Sequence, residues 1–208
     1  MSFTIAIDGT FSSGKGTLAK GLAQHYGLPH LDTGKLYRAV AKRVIAAGDD
    51  PDNAAQCAGH AAQVTAQELS DSILKSGPIG AMASKVAVHP AVREALFKFQ
   101  RDFAATGAVL DGRDIGTVIY PEAQVKLYVD AAPEARAHRR HAELTGYGED
   151  ITYETVLAQL IERDARDQGR EIAPLKPAAD AHMLDTTGMD IEAVLKTAIA
   201  MVEACLQK

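Results

Sequence analysis

The run Gly9-Thr10-Phe11-Ser12-Ser13-Gly14-Lys15-Gly16-Thr17 satisfies the G-x-x-x-x-G-K spacing of a phosphate-cradling loop, with its hydroxyl residue one place later than in the commonest version. The motif constrains the fold because such a loop must leave a buried strand and enter a helix. Only then do successive backbone N–H groups curl round an anion while the helix N-terminus adds partial positive charge. The flanks comply: Thr4-Ile5-Ala6-Ile7 is a short apolar run, and the apolar periodicity from Lys15 to Tyr26 is helical. Gly9, Ser12, Ser13, Gly14, Lys15, Gly16 and Thr17 are therefore the expected phosphate contacts. Lys15 would span the β- and γ-phosphate oxygens of ATP, and Thr17 is the nearest hydroxyl for Mg²⁺.

The remainder of the chain repeats the strand–helix alternation. His30-Leu31-Asp32, Ala108-Val109-Leu110, Val125 to Val129 and His182-Met183-Leu184 read as further strands. Helices are predicted from Thr33 to Val44, Pro90 to Ala105, Pro133 to Leu144, Tyr153 to Gln168 and onward from Asp190. Five strands alternating with helices predict an α/β fold, a doubly wound five-stranded parallel sheet with ligands at the carboxyl ends of its strands. Residues 1–208 fit one α/β domain built on the phosphate loop. Asp49 to Gly80, Ala-rich and without strand patterning, reads as an insertion, and the polar stretch Thr145–Thr152 as a short lid.

A net charge of −5 argues against a general nucleic-acid binder, whose affinity would rest on Lys and Arg against phosphates. The basic residues instead gather at Arg136 to Arg140 and Arg163 to Arg170, as expected of a pocket for small anions, although surface solvation explains most of the first cluster and only Arg140 there is expected at the site. No run approaches the roughly 20 apolar residues of a membrane span, no secretory signal is apparent, and the two cysteines, Cys57 and Cys205, lie far apart. A cytoplasmic monomer acting on small nucleotides, without nucleic acid or membrane, is the expectation. His138 and His141 read as surface residues. Asp111 either holds a metal-bound water near the phosphate loop or begins a turn before Gly112.

Arginines paired with acids recur at Asp32-Thr33-Gly34-Lys35-Leu36-Tyr37-Arg38, Gly112-Arg113-Asp114 and Arg163 to Arg170. On periodicity alone, Arg163, Asp167 and Arg170 read as a solvated ion-pair face worth about 0.2–0.5 kcal/mol per pair. Taken with Gly14-Lys15-Gly16-Thr17 and Ala173-Pro174-Leu175, the ordered set resembles the bacterial-type cytidylate kinases over nearly the whole chain. That resemblance implies transfer of the γ-phosphoryl group of ATP to CMP or dCMP. It assigns Arg38, Arg113 and Arg170 to the acceptor phosphate, Ser84, Arg93 and Asp114 to the base, Arg163 and Asp167 to the sugar hydroxyls, and Thr33 to the acceptor side. Lys15, Arg140 and Arg166 would steady the moving phosphoryl group, with Thr17 and Asp111 toward Mg²⁺. It also implies a longer acceptor-side insertion than Asp49–Gly80 provides. The alternatives are a kinase for AMP, UMP or a small alcohol of the shikimate type, or a non-enzymatic nucleotide switch.

Overall fold

The computed structural model describes residues 3–207; Met1, Ser2 and Lys208, the ends of the predicted 1–208 domain, lie outside the described residues. The elements run β1 (Ile5–Gly9), α1 (Lys15–Tyr26), β2 (His30–Asp32), α2 (Thr33–Ala47), α3 (Ala54–Ala61), α4 (Gly77–Val86), α5 (Pro90–Ala104), β3 (Val109–Gly112), β4 (Val125–Asp130), α6 (Pro133–Gly146), α7 (Tyr153–Gln168), β5 (His182–Asp185) and α8 (Ile191–Leu206). Two 3₁₀ turns, Ala66–Ser70 and Ser72–Lys75, and a π turn, Ile115–Ile119, complete the set. The strands form one sheet in the order β2-β3-β1-β4-β5. β1 pairs in parallel with β3 and β4, and β4 with β5. The predicted doubly wound parallel sheet is the observed fold.

The chain divides into two compact units, Met1–Leu31 with Arg101–Lys208, and Asp32–Gln100. In the first, β1 and β3 are buried along their whole length, as parallel strands covered on both faces must be. Ile5, Ile7, Val109, Leu127 and Val129 from the sheet pack with Leu18 and Leu22 of α1 and Val194, Ala198 and Val202 of α8. A second cluster joins Ala137 and Leu144 of α6 to Val156 and Leu160 of α7. Side-chain caps start α7 at Thr152, which accepts from the Thr155 N–H at 3.2 Å, and α8 at Asp190, which accepts from the Ala193 N–H at 2.8 Å. Helix α6 runs two residues past the predicted end, so Thr145 and Gly146 are helical and the connection to α7 is shorter than expected.

The second unit is helical. Ala41 of α2, Leu74, and Ile79 and Ala83 of α4 form its core. The segment from 49 to 80 contains α3, the two 3₁₀ turns and the start of α4, with no strand among the described residues. Polar bonds tie it down: Lys42 pairs with Asp71 at 2.6 Å, the Arg43 Nε with Glu68 at 2.8 Å, and Lys35 donates to the Leu69 carbonyl at 2.8 Å.

Register fixes where the phosphate loop starts. Gly9 lies beside Val129 of β4, and a Cβ on Gly9 would sit 1.9 Å from the Val129 carbonyl oxygen. No rotamer relieves a clash with backbone. Gly9→Ala should therefore cost about 3 kcal/mol or more, seen as a fall in Tm of roughly 10 °C by circular dichroism. An unchanged Tm would mean that the two strands do not approach this closely.

Candidate active site

Residues 10–14 connect β1 to α1. Ser12 and Gly14 take left-handed backbone angles, φ 62° and 87°. Such reversals turn consecutive N–H groups toward one side of the loop. The loop's carbonyls are held from elsewhere in the same unit. Arg136 donates to the Phe11 carbonyl at 3.2 Å and the Ala131 carbonyl at 2.7 Å, and pairs with Asp164 at 2.6 Å. The Thr186 hydroxyl donates to the Ser13 carbonyl at 2.9 Å, and Arg139 binds both the Thr186 hydroxyl and carbonyl, at 3.0 and 2.6 Å. The Thr10 hydroxyl donates to Asp130 at 2.6 Å. Lys15, the first residue of α1, is buried, with its ammonium 3.3 Å from the Thr10 carbonyl. Thr17 is exposed on the first turn of the same helix.

These contacts correct one expectation. The arginines of α6 are not a mostly solvated cluster from which Arg140 alone matters: Arg136 is buried, and Arg136 and Arg139 brace the phosphate loop. Their spacing of three puts them on one helix face, a signal the sequence carried. Arg140 is also buried; it pairs with Glu143 at 2.7 Å and stands 5.5 Å from the centroid of the Phe11 ring. Arg163 stacks on the same ring at 4.0 Å. His138 is exposed, as expected, and its ring stacks on Tyr153 at 4.3 Å.

Arg163 and Asp167 of α7, with Arg170 just past its end, do not form a solvated ion-pair surface. Asp167 is buried, accepts from the Arg113 Nε at 2.9 Å and from Arg170, and lies 4.0 Å from the Arg163 Nε. Burial pushes its carboxyl up, but the guanidiniums of Arg113, Arg170 and Arg163 outweigh that and hold it below the ordinary range. One carboxylate thus gathers three of the predicted acceptor arginines. Arg166, on the next face, is half-buried and reaches Glu162.

Three acids line the carboxyl edge of β1 and β3. Asp111 lies inside β3, paired with Ile7, so it does not begin a turn. Its carboxylate meets the His30 Nε2 at 2.7 Å. Asp114 is buried and caps the π turn, its carbonyl accepting the Val118 and Ile119 N–H groups at 2.9 and 3.1 Å. Asp8, which the sequence reading passed over, accepts the Ile115 N–H at 2.7 Å and the Gly116 N–H at 2.8 Å, one on each oxygen. Burial pushes the Asp8 carboxyl up to about 7 against the pull of those two N–H groups. The native state then keeps a proton that the unfolded chain releases near 3.8. Between those values folding takes up a proton, so the Asp8 contribution to stability falls as pH rises and is fully unfavourable above about 7. Urea denaturation at several pH values should show a steeper decline across this window in the wild type than in Asp8→Asn; equal slopes would contradict the buried titration.

The second unit carries four predicted acceptor residues. Thr33 opens α2 and is buried. Arg38 donates to the Leu74 carbonyl at 2.5 Å and the Ser76 carbonyl at 3.4 Å, and Gly80 of α4 passes so close that a Cβ there would lie 3.0 Å from its guanidinium. Ser84 is buried on α4. Arg93 is buried on α5, donates to the Ala87 carbonyl at 3.3 Å and faces the Tyr37 ring at 5.5 Å. The structure thus collects the predicted site residues in two sets, these four in the second unit and the remainder in the first.

A bracing pattern of this kind could serve many phosphate-loop kinases, and comparison with known proteins narrows it. The family model for cytidylate kinase matches residues 5–204. The chain belongs to the cytidylate kinase family. A cytidylate kinase of Methylobacterium sp. (strain 4-46) is 55% identical to it over 96% of this chain and 96% of that protein. A cytidylate kinase of Nitrobacter winogradskyi is 54% identical over 96% of this chain and 95% of its own length. Relative to these members of the cytidylate kinase family, then, the short 49–80 segment is not a large deletion. Among solved structures, an uncharacterised protein from Eubacterium ventriosum superposes with a TM-score of 0.59 at 18% identity, covering 98% of this chain and 99% of that one. That likeness concerns the fold.

Proposed function

We propose that this chain transfers the γ-phosphoryl group of ATP to CMP or dCMP, giving ADP and the corresponding diphosphate. The observation that carries the reading is the family match across residues 5–204. The gathering of Arg113, Arg163 and Arg170 on Asp167 supports it, because two polyanions need more cationic charge than a donor loop supplies.

The acceptor is a phosphate oxygen already ionised near neutral pH, so no general base is required. Charge and position carry the reaction. The N–H groups of the Gly9–Thr17 loop hold the donor's phosphates, and Lys15 follows the negative charge as it shifts during transfer. Arg38, Arg113 and Arg170 are assigned to the acceptor phosphate, Arg163 and Asp167 to the sugar, Ser84, Arg93 and Asp114 to the cytosine edge, and Thr33 to the acceptor side. Arg140 and Arg166, on the helices either side of the short 147–152 connection, steady the transferring group. Thr17, an exposed hydroxyl, and Asp111, a carboxylate, are hard oxygen donors of the type that suits Mg²⁺. No group of three acidic, His or Cys side chains able to hold a metal occurs among the described residues, so an ion there would draw most of its ligands from phosphate and water. When bound, Mg²⁺ neutralises phosphate charge and orients the donor.

We propose a cytoplasmic monomer as its working form; among the described residues no helix is long and apolar enough to cross a membrane, and both cysteines are free. Initial rates of ADP release with CMP, dCMP, UMP, AMP and shikimate test the reading. CMP and dCMP should lead by roughly 10²-fold in kcat/KM or more. A lead for AMP, UMP or shikimate, or nucleotide binding without turnover, would favour the corresponding alternative.

A further inference from the structure

The mechanism assigns no role to Asp8, yet its buried carboxylate accepts two backbone N–H groups. It lies at the end of β1, immediately before Gly9, and is buried. Its two oxygens accept the N–H groups of Ile115 and Gly116, 107 and 108 residues away in sequence. Those are the first two N–H groups of the π turn, which no carbonyl within the turn can satisfy. Three later ones are met locally: Val118 and Ile119 donate to the Asp114 carbonyl, and Tyr120 to the Ile115 carbonyl at 2.7 Å.

The fit around this contact is close. A Cβ on Gly116 would lie 3.4 Å from the Asp8 Oδ2 and 3.2 Å from the Cδ of Lys126. The Lys126 stem thus lies against the turn, while its ammonium pairs with Asp180 at 2.7 Å. Neither Lys126 nor Asp180 competes for the two N–H groups. Removing the Asp8 acceptor would leave two buried donors unmet, and the turn would have to move to find water. Directly before that turn stand Arg113 and Asp114. Arg113 is held at its far end by Asp167, and Asp114 caps the turn itself.

We infer that Asp8 is a positioning residue for the acceptor: by clamping the Ile115 and Gly116 N–H groups it fixes Arg113 and Asp114 relative to the strand that feeds the phosphate loop. This rests on the assignment of Arg113 and Asp114 to the acceptor nucleotide. Asn in place of Asp8 keeps the volume and one acceptor oxygen but turns an amide donor toward an N–H. Below its melting temperature, Asp8→Asn should raise the KM for CMP about tenfold or more, with the KM for ATP within about threefold of wild type. A purely structural carboxylate would lower Tm and leave both KM values unchanged, and a carboxylate serving the phosphate loop would raise the ATP value at least as much. Either result overturns the inference.

Asp114→Asn measured alongside separates the two layers. If it raises the CMP KM and Asp8→Asn does not, only the role of Asp8 falls; if Asp114→Asn leaves that KM unchanged, the acceptor assignment fails and this inference with it. Should Asp8→Asn not fold, hydrogen exchange on the wild type decides. Ile115 and Gly116 amides protected in the free protein and slowed further by CMP support the clamp. Exchange at the rate of an unstructured peptide, or slowing by ATP alone, overturns it.

Discussion

Lys15→Met should lower kcat for CMP phosphorylation by about 10³-fold, while the protein's Tm stays close to that of wild type. The reasoning is electrostatic. In a loop that supplies backbone N–H dipoles, the Lys15 ammonium is the one full positive charge, and it lies buried against the Thr10 carbonyl. A charge in such a site needs no reorganisation when the phosphoryl group moves, so its value is realised in the transition state more than in ATP binding. Methionine preserves the aliphatic stem and the first turn of α1. The KM for ATP should accordingly rise less than kcat falls. A mutant that loses ATP affinity but keeps kcat would place Lys15 in ground-state binding instead.

Asp114→Asn should reduce kcat/KM for CMP by roughly 10²-fold or more and narrow the preference for CMP over UMP. Cytosine presents an amine donor where uracil presents an oxygen. A buried carboxylate rewards the first and repels the second, so the substitution removes both the attraction and the discrimination. ATP binding should change far less. Parallel titrations with CMP, UMP and ATP measure this directly. If all three constants worsen together, the buried Asp114 carboxyl serves the fold rather than the base.

The fold was legible because its signals are local. The apolar runs that became β1 to β5 alternate with helical periodicity, and Gly14, Gly27 and Gly48 begin or end helices in left-handed geometry. The π turn at 115–119 was not legible: Ile115 to Ile119 reads as apolar sequence, and the conformation depends on acceptors distant along the chain. The same reason explains Asp8, which the phosphate-loop pattern makes look like strand punctuation. Asp167 was seen as one member of an i,i+4 pair, but its burial and its bond to Arg113 are tertiary facts that helix periodicity does not encode. Arg136 and Arg139 were misread because charge on a helix is usually solvated, and here their partners are backbone carbonyls of a loop 125 and 126 residues away.

The most direct test of the proposed chemistry follows the phosphorus. ATP carrying ¹⁸O in its γ-phosphoryl group is incubated with CMP, Mg²⁺ and the protein, and the products are separated by mass. The account predicts CDP whose β-phosphoryl group retains the label, formed in equal amount with ADP. Label recovered as inorganic phosphate with CMP left intact would contradict it.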